Sequence, residues 1–571
     1  MLGPTARIKI LAVFVIVLAL LFLAKLFFLQ VVRGEYYNNL ADRQYLNPAS
    51  RVFNRGSIFF QTKAGDLVSA ATVDRGFLLS INPKLITNAD QAAEKIAAVF
   101  PDLKRADFLA KAAKKTDPYE EITDHLPQST ADKIKAQKIA GVYLYKDAWR
   151  SYPAKQLASH VVGFMGYRSE AVPYTGLYGL ERQYNDVLER ANTGSFANFF
   201  AEIFSGLAPV ADKKNNAGGE GDIVLTIEPN VQNFFESQLT AVKEKYHADS
   251  AGGVVIDPKT GRIIAMAQLP NFNPGEKQND LGLLNDPIVS DVYELGSIFK
   301  PLTMAAGLDA GVVTAQTTYF DKGFLILNNK RISNYDGKGR GLITMQEVLN
   351  QSLNTGATFV SQQLGPDRFR QYFLNYGLGQ KTGIDLPDEV QGIVRNLDSK
   401  RPVEMATASF GQGIAVSPIE MVRALAVLAN GGVLVKPYVV DKIKYQTTLE
   451  KKTEPQIGPR VLKPETSREI SRMLTQVVDD KLANGKAKQE HFSVAAKTGT
   501  AQMVDPATKK YYPDRYLHSF FGYFPSYDAR FLVFIYIVYP KDVQYASETL
   551  TEPFLNVTKY LLNYYSIPPD R

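Results

Sequence analysis

Tyr293-Glu294-Leu295-Gly296-Ser297-Ile298-Phe299-Lys300-Pro301 is the stretch on which the reading of this chain turns. Ser297 and Lys300 stand three positions apart, so a helix places both on one face, a turn apart. That spacing brings an amine to a hydroxyl, the pairing by which a serine nucleophile loses its proton. Proline is accommodated only near a helix start, where its missing N–H would be unpaired anyway. Pro301 therefore predicts a helix that begins at about Ser297 and runs toward Gly311. A free helix N-terminus also offers N–H donors and a positive dipole end to a developing oxyanion. Ser-x-x-Lys alone recurs by chance in long chains, so its weight depends on companion motifs farther along the chain.

Two such motifs are present. Ser352-Leu353-Asn354 closes the helical run 344–351, and Lys497-Thr498-Gly499-Thr500 continues an apolar strand entered at Val494. Lysine and hydroxyls on a strand beside a nucleophile can bind a carboxylate. Gly499 lets a substrate backbone approach the strand edge. A second copy, Lys381-Thr382-Gly383, lies among turn residues with no strand pattern before it and reads as a structural turn.

Outward from these motifs, strand patterns cover 222–227, 252–256, 262–267, 492–497, 518–523 and 531–538. Helical patterns cover 231–246, a long middle stretch and 552–564. Strands at both ends with helices between them predict an α+β domain on a mostly antiparallel sheet. Its boundary falls near 218, after the polar, glycine-rich run that starts at Asp212. The domain is thus expected over 218–571. The preceding region, 33–217, has strand character at 51–60 and 76–81 and one or two amphipathic helices over 92–115. It carries no nucleophile–base pair and no metal-ligand spacing, and reads as a structural or partner-binding pedestal. Within it, 196–207 is rich in phenylalanine and too short to span a bilayer. It reads as a buried hairpin or helix, or as an exposed docking patch.

With 571 residues the chain has room for two or three domains, and zero cysteines exclude a disulfide scaffold, a thiol nucleophile and thiolate-bound metal. The net charge of +7 is mild, and no basic-aromatic cluster points to nucleic acid. Residues 10–24 are uninterrupted apolar, and the run resumes after Lys25 through Val32. That length spans a bilayer, with Lys25 snorkelling near one end. Arg7 and Lys9 on the short tail before it favour a cytoplasmic N-terminus. The run is too long for a cleaved signal peptide, and no Ala-x-Ala site comes after it. Residues 1–32 are therefore expected to form a short cytoplasmic tail and one transmembrane anchor that leaves the rest outside the plasma membrane.

In order and context the three motifs resemble the signature of penicillin-binding proteins and β-lactamases. The whole chain resembles the class B, monofunctional peptidoglycan transpeptidases. Further matching stretches are Ile256-Asp257-Pro258, 382–387, 408–413 and 429–432, with Arg150-Ser151-Tyr152-Pro153 and Gly176-Leu177-Tyr178-Gly179-Leu180-Glu181 similar to the pedestal motifs. Two departures stand out. Leu295 replaces the family's usual proline, and the opening pedestal motif continues after Arg55 as Phe60-Gln61-Thr62-Lys63, without its Asp-Arg pair. A pedestal ion-pair network would then rest on Arg55, Arg150 and Glu181.

The resemblance implies a transpeptidase domain on an elongated α+β pedestal, and a serine D-Ala-D-Ala transpeptidase that β-lactams acylate. Ser297 would be the nucleophile and Lys300 its base. Ser352 would relay protons, Asn354 would hold Lys300 and the substrate amide, and Lys497, Thr498, Gly499 and Thr500 would bind the terminal carboxylate. The N–H groups of Ser297 and Thr500 would form the oxyanion hole. No cofactor or metal is implied. The implied partners are peptidoglycan stem peptides, β-lactams, a SEDS-type glycan polymerase and other divisome membrane proteins. The run 289–294 leans toward the septal type. A β-lactamase would be shorter and soluble, a β-lactam sensor would show several spans, and a bifunctional enzyme would need a glycosyltransferase domain. An idle scaffold would have lost Ser297, Lys300, Ser352 or Lys497, and all four are present.

Overall fold

The computed structural model describes residues 53–167, 174–190 and 219–571 other than 279, 400, 448, 506 and 509, together with 16–18, 22 and 25. Most of the expected anchor over 1–32 and all of the aromatic run 196–207 lie outside the described residues. No helix among the described residues is long and apolar enough to cross a membrane.

A five-stranded antiparallel sheet holds the centre of the larger part, in the order Ala495–Val504, Tyr511–Phe524, Phe531–Val538, Ser250–Ile256, Ile263–Leu269. Successive side chains on a strand point to opposite faces. In Phe531–Val538, accordingly, Leu532, Phe534 and Tyr536 enter one core while Val533, Ile535 and Ile537 enter another. Both faces are covered by helices, which is why the strand reads as unbroken apolar sequence. Pro229–Lys245 and Thr551–Tyr564 cover one face with Phe235, Leu239, Phe554 and Leu561. Lys300–Asp309, Pro418–Ala429 and Pro464–Asp480 contribute Leu302, Leu425 and Leu474 to the other core.

Element ends differ from the sequence reading where polarity hides them. The helix read from Val231 begins at Pro229, because the Glu228 carboxylate caps the Val231 N–H at 2.7 Å. The strands read over 492–497 and 518–523 extend into a long hairpin. Its outer half, including Tyr511, Asp514 and Arg515, carries no apolar pattern, and the backbone ladder alone continues it to Val504 opposite Tyr511.

Two compact units partition the chain, and they interleave along the sequence. The larger takes 55–72 and 151–190 as well as 216–571. Its segments thus fall on both sides of residue 218. Pairing explains this: Ile58 and Phe59 lie parallel to Ile223 and Val224, and Val161, Leu180 and Leu188 fill the larger unit's core. In the smaller unit, residues 73–150 form strands around helices Ala89–Ala97, Arg105–Ala112 and Gln128–Ala136. Leu79, Ile81, Ile96, Phe108, Leu126 and Ile134 form its own core.

Within the larger unit Arg55 and Glu181 form an ion pair, Nε to Oε2 at 2.7 Å, with side chains 2% and 0% exposed. Arg55 also donates to Asn185 Oδ1 at 2.9 Å and to the Glu181 carbonyl at 2.8 Å, and Tyr152 donates to Glu181 Oε1 at 3.3 Å. Each guanidinium nitrogen of Arg55 donates to a protein acceptor, as a buried charge requires. Arg150 belongs to the smaller unit, where it is buried. Lys63, where the family's Asp-Arg would stand nearby, donates to the Tyr564 carbonyl at 2.7 Å and so caps the final helix.

Removing one partner of a buried ion pair strands the other. Arg55→Ala or Glu181→Ala is expected to cost about 3–5 kcal/mol in urea unfolding. The double variant Arg55→Met/Glu181→Met is expected to lose less than either single truncation.

Candidate active site

Ser297 does not open an α-helix directly. Residues Gly296–Phe299 form a 3₁₀ turn that runs into the α-helix Lys300–Asp309, with Pro301 in its first turn. In a 3₁₀ turn residues i and i+3 eclipse, and the Lys300 N–H donates to the Ser297 carbonyl. Gly296 is needed here: its φ is +64°, and an added Cβ would sit 2.6 Å from the Thr500 carbonyl. Leu295, in the place of the family's proline, is fully buried in the core.

The Lys300 amine donates to the Ser352 carbonyl and, at 3.2 Å, to Ser352 Oγ. Lys497 Nζ reaches the same Oγ at 3.0 Å and the Thr498 carbonyl at 3.1 Å. One hydroxyl thus bridges two amines. Ser352 sits between helices Met345–Asn350 and Asn354–Leu364 with φ +55°, a left-handed conformation that a side-chain-bearing residue adopts at a cost. The Asn354 amide donates to the Ser333 carbonyl at 2.8 Å.

Both lysines are nearly inaccessible, Lys300 at 1% and Lys497 at 3% exposed. Burial and then the Lys497 charge hold Lys300 well below the ordinary lysine range. Burial alone lowers Lys497 to about 7.

Thr500 Oγ1 accepts the Ala546 N–H at 3.1 Å, which leaves its O–H to donate. Gly499 serves packing as well as access, since a Cβ there would lie 2.4 Å from Ser519 Oγ and 2.6 Å from the Leu295 carbonyl. Ala495–Val504 is an edge strand of the five-stranded sheet, so its outer backbone groups can pair with an extended peptide. Ser297, Ser352, Asn354, Lys497, Thr498 and Thr500 line one cleft of about 920 Å³. The other copy of the motif stays a turn: Thr382 donates N–H and O–H to Glu389 Oε1, both at 2.6 Å.

Sequence reasoning missed the support beneath Asn354. Asp321 accepts Thr355 Oγ1 at 2.8 Å and Asn334 Nδ2 at 2.9 Å, and the Thr355 N–H donates to Asn334 Oδ1 at 3.2 Å. This buried network fixes the Ser333–Asn334 corner that receives Asn354. Its members lie far apart in sequence and share no motif, so only their burial reveals them.

The description "Penicillin binding protein transpeptidase domain" matches residues 251–558, and "Penicillin-binding Protein dimerisation domain" matches 54–195. The chain is 31% identical to the stage V sporulation protein D of Bacillus subtilis over 99% of its own length and 86% of that protein's. It is 29% identical to the probable peptidoglycan D,D-transpeptidase FtsI of Caulobacter vibrioides, over 79% of this chain and 70% of that one. Penicillin-binding protein 2X of Streptococcus thermophilus shares the fold at a TM-score of 0.73 and 21% identity, over 90% of this chain and 80% of that chain. Penicillin-binding protein 3 of Mycobacterium tuberculosis, complexed with aztreonam, shares it at 0.67 and 22%, over 91% and 98%. With the transpeptidase match spanning more than half of its residues, the chain belongs to the penicillin-binding protein transpeptidases.

Proposed function

We propose that this peptidoglycan D,D-transpeptidase cross-links stem peptides through Ser297 and is acylated there by β-lactams. The observation that supports the reading most strongly is the Ser352 hydroxyl within hydrogen-bond reach of both Lys300 and Lys497. A neutral Lys300 takes the Ser297 proton as Oγ attacks the carbonyl of the penultimate D-Ala. The C–N bond to the terminal D-Ala breaks, and Ser352 passes the proton to the leaving amine. An amine from a neighbouring peptide then attacks the ester, forms the new amide and restores the Ser297 hydroxyl. Lys497, Thr498 and Thr500 receive the terminal carboxylate, whose charge raises the Lys497 pKa again. The Ser297 and Thr500 N–H groups face the oxyanion.

In the same reading residues 1–32 anchor the protein in the plasma membrane with the N-terminus inside, 33–217 act as the pedestal with Arg55, Arg150 and Glu181 as its ion-pair residues, and 218–571 carry catalysis outside. The apolar run 10–32 supports the anchor. A transpeptidase without a polymerase domain needs glycan strands made elsewhere, which supports a SEDS-type polymerase and other division proteins as partners. Relatives named FtsI support the septal assignment.

The two lysines predict a bell-shaped pH profile for the second-order acylation rate. Activity rises as Lys300 loses its proton, and this limb lies well below pH 10.5 because the pKa is depressed. It falls again above about 7 as free-enzyme Lys497 discharges. Lys497→Arg is expected to abolish the falling limb and weaken binding, since guanidinium stays protonated. Lys300→Arg is expected to lower acylation by about 10²–10⁴-fold; near-normal acylation in that protein overturns the base assignment.

Topology is checked by protease added outside spheroplasts, which is expected to digest everything beyond about residue 33. Protection of the catalytic domain reverses the assignment.

A further inference from the structure

We propose that Glu294 is a positioning residue that holds the nucleophile turn at its distance from the Lys497 strand, and that Tyr511 is the latch that closes this hold. The proposal rests on Ser297 being the acylated nucleophile. Glu294 stands three residues before Ser297, where the chain enters the 3₁₀ turn. Its Oε1 accepts the Gly413 N–H at 3.0 Å, and the Tyr511 hydroxyl donates to Oε2 at 2.9 Å and lies 3.2 Å from Oε1.

Each partner belongs to a different wall of the site. Gly413 ends the loop that begins at Phe410, and Phe410 and Gln412 line the cleft. The same loop meets the nucleophile turn again where the Gly296 N–H donates to the Gly411 carbonyl at 3.2 Å. Tyr511 opens the strand Tyr511–Phe524 opposite Val504, at the outer end of the hairpin that carries Lys497 and Thr500. One carboxylate therefore ties together the three segments that border Ser297.

The strand ladder does not make this tie redundant. Its register shifts between Gln502 and Val504, so pairing near Thr500 does not fix the hairpin's outer end. On the other side Ala495–Val504 has no neighbouring strand among the described residues. The phenol of Tyr511 crosses from that end to Glu294. Burial raises the Glu294 carboxyl while the Tyr511 and Gly413 donors oppose the shift, so these donors favour the charged form that grips both. Tyr511 is 41% exposed, which makes its hydroxyl removable without opening a core cavity.

The test uses the full chain and a fluorescent penicillin, with acylation separated into the binding constant and the first-order acylation rate. Misplacement by about 1 Å costs up to 10²-fold in rate. Tyr511→Phe is expected to slow acylation about tenfold, with binding within about twofold and Tm within about 2 °C of the parent. Glu294→Gln is expected to act in the same direction. The double variant is expected to be no slower than the slower single, since both break one tie. A rate for Tyr511→Phe within about twofold of the parent, a loss confined to binding, or losses that multiply in the double variant each overturn the latch. Peptide mapping of the labelled parent separates the two levels: label absent from Ser297 overturns both the nucleophile assignment and the latch, whereas label on Ser297 with any of those rate outcomes overturns the latch alone.

Discussion

Two lysine amines buried against one serine hydroxyl are the constraint on which this structure depends. Taking an ammonium out of water costs several kcal/mol, so two of them side by side cannot both stay charged. The site meets the cost by letting the amines differ. Lys300, deeper and facing a like charge, is driven to the neutral form that can accept a proton. Lys497 is left near its balance point, where an arriving carboxylate decides its state.

Much of the surrounding architecture serves that placement. The antiparallel sheet, with a core on each face, holds the Lys497 strand rigid at its edge. The 3₁₀ turn joins Ser297 to Lys300 through the backbone, and the left-handed backbone at Ser352 stores strain where its hydroxyl is needed. Close approach comes from Gly296 and Gly499, which let the nucleophile turn and the strand touch backbone to backbone. The Asp321–Asn334–Thr355 network then fixes the corner that takes Asn354.

Farther out, the same rule governs the Arg55–Glu181 pair: a buried charge persists because each donor has an acceptor. Lys63, which follows Phe60-Gln61, caps the last helix of the larger unit.

The sequence by itself determined the chemistry and most of the secondary structure. Ser297 and Lys300 were legible from their short spacing and Ser352 and Lys497 from the motifs that carry them in order along the chain, and the sheet strands were legible because their apolar runs are continuous. Only the tertiary structure decided that Asn354 turns to Ser333, that 55–72 and 151–190 pack with the catalytic unit, and that Glu294 meets Tyr511. The reason is physical. Spacing along a chain encodes local periodicity, whereas these pairings join residues from tens to hundreds of positions apart, and burial and the need to satisfy each buried polar group select them only once the chain is packed.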